Sequence, residues 1–192
     1  SLKGGCNLRF FFHSPRHSDV MDLDVQGIPV DKLRDKVNAI LSGKPFKTLL
    51  DIRGVSIEHV TEHKQTETTQ RWKFGLTVSG FEIPIPTKVE FSRRGMEEGG
   101  VLEPISPEII RFYELPSLMI NHYPASIAGR QKIGAILARA TTQARDIFDL
   151  NLLLDMGAIP PEVFARDARR AVDRLRENIL AVLRSEPIRT GS

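Results

Sequence analysis

Residues 14–25 read SPRHSDVMDLDV. Asp22 and Asp24 stand two apart there, interleaved with Met21, Leu23 and Val25. If the stretch is a strand, its side chains alternate, so both carboxylates take one face and the apolar set takes the other. Residues two apart on a strand are separated by about 7 Å, close enough for two carboxylates to converge on one hard cation. Mg²⁺ takes oxygen ligands and often bridges protein carboxylates to phosphates. Glu90, in TKVEFS, has Val89 and Phe91 on the opposite face and is the candidate third acid from a neighbouring strand. The chemistry on offer is metal-assisted work on a phosphorylated ligand. The plain alternative is solvated charge on a half-exposed strand, and the spacing leaves both open. Like charges this close repel unless a cation or solvent neutralises them.

Other residues could serve the same chemistry. Gly4 and Gly5 could let backbone N–H groups approach a phosphate at a helix start, or form an ordinary turn. Ser18 could bond a phosphate or cap a turn. Lys132, in a helix with Ile133, Ile136 and Leu137, is either a mobile point charge for triphosphate oxygens or a surface lysine. Arg139 and Arg145 flank a helix junction, where they bind phosphate or RNA, or face solvent. Asp146 and Asp149, three apart, share a helical side. Asp146 is either a base on an incoming hydroxyl or the partner of Lys132 or Arg139 that pins the helix; Asp149 reads as structural. His59 and His63 lie in a strand-like run with no obvious third ligand, so zinc is not expected. His122 and Tyr123 are weak candidates for stacking on a base.

The elements that must position these groups are short alternating runs before residue 110 and long helical patterns after it. LKGG reads as a strand end entering a turn, CNLRFFF as the following helix or, from its three consecutive phenylalanines, equally as a strand, and VMDLDV as a strand. PVDKLRDKVNAILSG is a helix with Val30, Leu33, Val37, Ile40 and Leu41 on one stripe, ended by Gly43. GVSIEHVTEH, RWKFGLTVSG and TKVEFS read as strands; Trp72, Phe74, Leu76 and Val78 share a face. SRRGMEEGG reads as a loop and LMINHY as a short strand. Helices are expected over 124–139, 141–156 and 161–184, the last burying Phe164, Ala168, Val172, Leu175, Ile179 and Val182. The fold class is therefore α+β: a mixed sheet with flanking helices over 1–110, then a helical portion over 111–192.

The 192 residues, 41% of them hydrophobic, suffice for one good core or a core with a helical annex. A formal charge of +3, from 27 basic and 24 acidic side chains, permits a polyphosphate or nucleic-acid partner without demanding one. The last helix is rich in arginine (Arg166, Arg169, Arg170, Arg174, Arg176 and Arg184). That pattern reads equally as an RNA footprint and as a solvated face. Cys6 is the only cysteine, which excludes an internal disulfide and a Cys-rich metal site and fits a reducing, cytoplasmic compartment. No apolar run approaches 18 residues, so no membrane span is expected.

Together, LKGGCNLRFF and SPRHSDVMDLDV resemble the signature of the abortive-infection nucleotidyltransferase-like toxins, the AbiEii/AbiGii family of the polymerase-beta-like nucleotidyltransferase superfamily. QKIGAILARATTQARDIFDLNLLL resembles the same family's Lys-containing helix and Arg-Asp-x-x-Asp-Leu helix. The two blocks lie more than 100 residues apart, in the family's order. The resemblance implies a nucleotidyltransferase core that binds a nucleoside triphosphate with expected Mg²⁺. It places Gly4, Gly5, Arg16, Ser18 and Lys132 on the nucleotide. Asp22, Asp24 and Glu90 fall on metal and catalysis, and Asp146 on the acid of the Arg-Asp pair. It also implies an RNA acceptor, such as a tRNA, and a cognate antitoxin. One departure stands out: Val20 occupies the place of the family's first metal acid. Using Asp22 and Asp24 instead moves the pair about 7 Å along the strand, more than an active site tolerates without compensation. Sequence that the family carries ahead of its first strand is also missing, which fits a fragment or a short divergent member. Two functions follow. One is a Mg²⁺-dependent toxin or defence enzyme moving a nucleotidyl group from an NTP to RNA or another acceptor. The other is a catalytically degenerate relative that binds nucleotide, RNA or antitoxin without turnover.

Overall fold

The computed structural model describes residues 1–81, 83–141 and 143–158, with 166, 169, 170, 172–177, 179 and 180 beyond them. The chain forms two compact units, Ser1–Tyr123 and Pro124–Ser192. The first is a seven-stranded mixed sheet with flanking helices. In chain order it runs β1 (Leu2–Lys3), α1 (Gly4–Phe11), β2 (Val20–Asp24), α2 (Val30–Ser42), α3 (Lys44–Asp51), β3 (Val55–Gln65), β4 (Thr69–Val78), β5 (Ile85–Ser92), β6 (Val101–Pro104), α4 (Pro107–Phe112) and β7 (Met119–His122). The strand order is β3-β4-β5-β2-β1-β7-β6. β2 runs parallel to β5 and β1 parallel to β7, while the other neighbours are antiparallel.

Side-chain alternation sets the two faces of this sheet. In β4, Trp72 and Phe74 point to the face that packs on Leu33, Val37 and Leu41 of α2, where Val89 and Phe91 of β5 join them. That is the helical period of α2 meeting the two-residue period of two strands. Each such apolar side chain stabilises by about 1.5–3 kcal/mol when fully buried. Trp72 is fully buried, donates from Nε1 to Asn38 Oδ1 at 2.8 Å and stands edge-on to Phe91. Ile40, expected on the buried stripe, is instead 57% exposed, because the stripe narrows to Leu33, Val37 and Leu41. The opposite face of the sheet carries Arg71, Lys73, Lys88, Glu90 and Asp22, which alternate with the core residues.

Gly43 ends α2 as the spacing predicts, but with ordinary backbone angles (φ −69°, ψ 138°). Its glycine is needed for closeness: a Cβ there would meet the Ala39 carbonyl oxygen at 2.6 Å. The chain then turns directly into α3, with Pro45 in its first turn. α3, β6 and α4 fall in stretches to which periodicity assigns no element. α4 does carry a start signal, Ser106-Pro107-Glu108, although Ser106 makes no side-chain cap bond.

The second unit contains α5 (Ala125–Ala138) and α6 (Ala144–Asp155), as expected. Ile127, Ile133, Ile136 and Leu153 are buried. Of the expected last helix, Val172–Glu177 is helical, and Arg174 Nη1 donates to the Leu137 carbonyl at 2.9 Å. Val172 and Ile179 are each 49% exposed. Phe164, Ala168, Val182 and Arg184 lie outside the described residues. No helix among the described residues is long and apolar enough to cross a membrane.

Replacing Trp72 by Ala empties the centre of the α2 face and is expected to cost about 3–5 kcal/mol in a urea unfolding titration. Trp72→Phe keeps most of the volume and costs less; equal costs for the two variants would contradict this account of the core.

Candidate active site

The turn from β1 into α1 places a helix N-terminus beside the acid strand. Gly4 has φ +68°, the left-handed region that glycine tolerates, and a Cβ on it would meet Asp22 Oδ2 at 2.8 Å. Gly5 is needed for a different neighbour. Its Cβ would meet Arg16 Nη2 at 2.7 Å and Ser18 Oγ at 3.0 Å. The expected phosphate turn, Arg16, Ser18 and Asp22 are thus brought together within the first unit, with both glycines serving close approach. First-turn N–H groups of α1 and the Arg16 guanidinium offer positive potential at that point.

Asp22 and Glu90 are direct register partners on the parallel strands β2 and β5. Their strands are about 4.8 Å apart, and both side chains take the face away from α2. Glu90 accepts from Arg71 Nε and Nη2 at 2.6 Å, with its side chain 24% exposed. Arg71 is the register partner of Glu90 on β4. The row across the sheet is therefore Lys3, Asp22, Glu90, Arg71: two acids bracketed by two cations.

Asp24 is placed differently from the other two acids. Its side chain is only 5% exposed, forms an ion pair with Lys3 and accepts from the Tyr123 hydroxyl at 2.9 Å. Lys3 faces Asp22 in register but reaches diagonally to Asp24. Among the described residues no group of three or more His, Cys, Asp and Glu side chains is placed to hold a metal ion, so the expected set of Asp22, Asp24 and Glu90 is not gathered as one cluster. The donor chemistry that does fit a hard cation is the pair Asp22 and Glu90, since Mg²⁺ is commonly bound by one or two carboxylates with water and substrate phosphate completing the shell. Val20, the register partner of Lys88, brings no oxygen ligand to the neighbouring row.

Cys6 lies under this turn, donating to the Val20 carbonyl at 3.1 Å. Burial pushes its thiol up to about 11, so it is no nucleophile at neutral pH. His122 and Tyr123 do not present faces to a base. Both are buried: His122 stacks on Phe11 at 3.5 Å and meets Asn7 and Glu103 through its ring nitrogens, and Tyr123 turns its hydroxyl to Asp24. His59 and His63 do not form the regular strand pair that their spacing suggests: His59 has φ +52° and sits at a register shift in β3.

In the second unit, Lys132 is only 14% exposed and lies 2.5 Å from Asp149 Oδ2 and 3.5 Å from Asp146 Oδ1. Arg139 forms an ion pair with the other oxygen of Asp146. Asp146 and Asp149 are 1% and 0% exposed, as paired buried carboxylates must be. Of the two readings of Asp146, base or helix brace, the geometry is that of a brace between α5 and α6. Arg145 is exposed.

Sequence reasoning missed Arg71, Lys3 and Tyr123 as partners of the acids. Arg71 alone had a signal, its parity opposite Trp72 and Phe74. Tyr123 is 99 residues from Asp24, and only the fold joins them.

Burial, with the Asp24 hydrogen bond and charge, pushes the Tyr123 phenol from 10.0 up to about 12. The folded chain thus keeps a proton that the unfolded chain gives up, and stability falls as pH rises from about 10 to about 12. Tyr123→Phe is expected to flatten the fall of the melting temperature across that window. An unchanged slope would show that this bond does not carry it.

The comparisons agree with this architecture. A family model described as nucleotidyl transferase AbiEii toxin, type IV toxin–antitoxin system, matches residues 1–190. The crystal structure of JHP933 from Helicobacter pylori superposes with a TM-score of 0.62 at 19% identity, covering 94% of this chain and 70% of that one. A second H. pylori structure, described as a putative nucleotidyltransferase, superposes with a TM-score of 0.64 at 17% identity, covering 97% and 75%. No curated protein matches the sequence. The structural likenesses carry the fold, and the family match extends over nearly the whole sequence: the chain belongs to the AbiEii nucleotidyl transferase toxin family.

Proposed function

We propose that this chain is a nucleotidyltransferase that moves a nucleotidyl group from an NTP to a hydroxyl of an RNA acceptor, working in the cytoplasm as the toxin of a pair with a cognate antitoxin. The observation that carries the reading is the in-register pair Asp22 and Glu90 set against the Gly4–Gly5 turn with Arg16 and Ser18. The N–H groups of that turn and Arg16 bind the triphosphate. Ser18, whose hydroxyl donates to the Val20 carbonyl at 2.9 Å, fixes the approach to β2. Mg²⁺ held by Asp22 and Glu90 would supply Lewis-acid stabilisation of charge on the phosphoryl oxygens. In the transfer, the acceptor oxygen forms a bond to the α-phosphorus, the bond from that phosphorus to the bridging oxygen breaks, and pyrophosphate leaves with the electron pair. Asp22 takes up the hydroxyl proton. Asp24 holds β2 in place through Tyr123 and Lys3. The family resemblance also assigns Lys132 to the nucleotide; within the helical unit its ammonium group is paired with Asp146 and Asp149.

A second reading has its own support. Val20 stands where an acid is expected, and Glu90 already has Arg71 as its counter-ion. A chain that binds nucleotide without turnover would look the same. Incubation with α-labelled NTPs, Mg²⁺ and total tRNA separates the two. The transferase reading expects label on RNA, reduced roughly 100-fold or more by Asp22→Asn and by Glu90→Gln, the scale on which misplaced reacting groups cost rate. Label transfer only after Val20→Asp, with none by the wild-type chain, would establish the non-catalytic reading in its place.

A further inference from the structure

The polar face of the sheet continues past the acids into a cleft of about 480 Å³ that the reading above does not use. It is lined by His59, Lys73, Pro84, Thr87, Lys88 and Asp19, among others. Lys73 and Lys88 are direct partners on antiparallel β4 and β5, and like charges placed so repel unless an anion lies between them. Asp19, whose backbone carbonyl accepts from the Lys88 N–H at 3.1 Å, is the one acidic residue of the lining. Two further features make the cleft a built one. Gly75 admits Pro84, whose Cβ would be 2.9 Å from any Cβ at that position, so the strand loop closes against β4. His59, which also lines the cleft, takes a left-handed backbone, with φ +52°, at the register shift between Glu58 and Thr61. Bulges and strained non-glycine residues of this kind concentrate where a side chain must be re-aimed for function.

Position along the sheet indicates the ligand. Gly4 lies on the β1 side of Asp22, whereas the cleft lies on the β5-β4-β3 side of Glu90. Lys88 and Lys73 precede Glu90 and follow Arg71 by two residues, about 7 Å along the same face. The cleft therefore lies beside the acid pair, one row along the strands at the level of Val20, and its lining does not include the Gly4–Gly5 turn. In the transferase reading the Gly4–Gly5 turn takes the donor triphosphate, which leaves the cleft to the other phosphate-bearing substrate, the acceptor. We propose that the cleft binds phosphodiester groups at the end of a single-stranded acceptor RNA, with Lys73 and Lys88 on its phosphates and His59 and Pro84 against its sugar and base. This assignment rests on the transferase reading for the choice between acceptor and donor, while the binding itself is independent of turnover.

The test uses the full chain and a fluorescein-labelled 12-nucleotide single-stranded RNA, with binding followed by anisotropy across a salt series without NTP. Wild-type protein is expected to bind, with an affinity that falls as salt rises. Lys73→Gln/Lys88→Gln should flatten the logarithmic salt slope by about 1.4, two phosphate contacts at about 0.7 each, and raise Kd by roughly tenfold at 0.1 M salt. Lys73→Arg/Lys88→Arg should restore most of the binding. A wild-type chain that does not bind, or a double Gln variant with unchanged slope and Kd, overturns the proposal. So does a double Gln variant that keeps RNA affinity but loses affinity for ATP with Mg²⁺, because the cleft would then hold the donor. Asp22→Asn distinguishes the two readings: loss of label transfer with intact RNA binding concerns the acids, and loss of RNA binding in the Lys variants concerns the cleft.

Discussion

Two carboxylates on neighbouring parallel strands repel, and the first unit is organised around holding that repulsion in place. Asp22 and Glu90 are register partners about 4.8 Å apart by strand spacing. Arg71 compensates Glu90 from one side, and the start of α1 sits against Asp22 from the other. The sheet cannot separate the acids without undoing the core beneath, because Val89 and Phe91 flank Glu90 and pack with Trp72 on α2. Burial on one face thereby fixes charge on the other. A slip of one residue in β5 would send Glu90 into the apolar layer and Val89 into the site.

Asp24 illustrates how the same alternation yields unlike roles. It shares a face with Asp22, yet it sits deeper, beside β1, where Tyr123 and Lys3 enclose it. Its carboxylate is held by a hydroxyl donor and an ammonium partner. The helical unit repeats this logic with Lys132, Asp146, Asp149 and Arg139, where two buried acids are tolerable only because two cations meet them.

Much of this was legible in the chain. The alternation in VMDLDV and RWKFGLTV placed the acids opposite the apolar set, and the helical period over 124–139 and 141–156 found α5 and α6. The Gly-Gly pair and Arg-x-Ser were recognisable because their spacing is local. What sequence left open was long-range. That Asp24 would meet a tyrosine 99 residues away is written in neither segment alone. Whether Glu90 would meet Asp22 or a neighbour depended on strand register, and period-two patterning states the face without stating the partner. α3 and α4 were missed because eight and six residues are too short for a helical period to declare itself. His59 was misread as regular strand because a bulge leaves no mark in composition.

The two glycines of the opening turn answer to different side chains. Gly4 makes room for the carboxylate of Asp22, and Gly5 for Arg16 and Ser18. Positions 4 and 22 are therefore sterically coupled, and so are positions 5, 16 and 18. A lineage that gave up the acid at 22 would be released from glycine at 4 only as far as steric room is concerned, since φ +68° still taxes any other residue there. At position 5, where no such backbone demand exists, shrinking Arg16 and Ser18 would suffice to let a methyl group in. The second glycine is thus held by its neighbours alone, and the first by both its neighbours and its backbone.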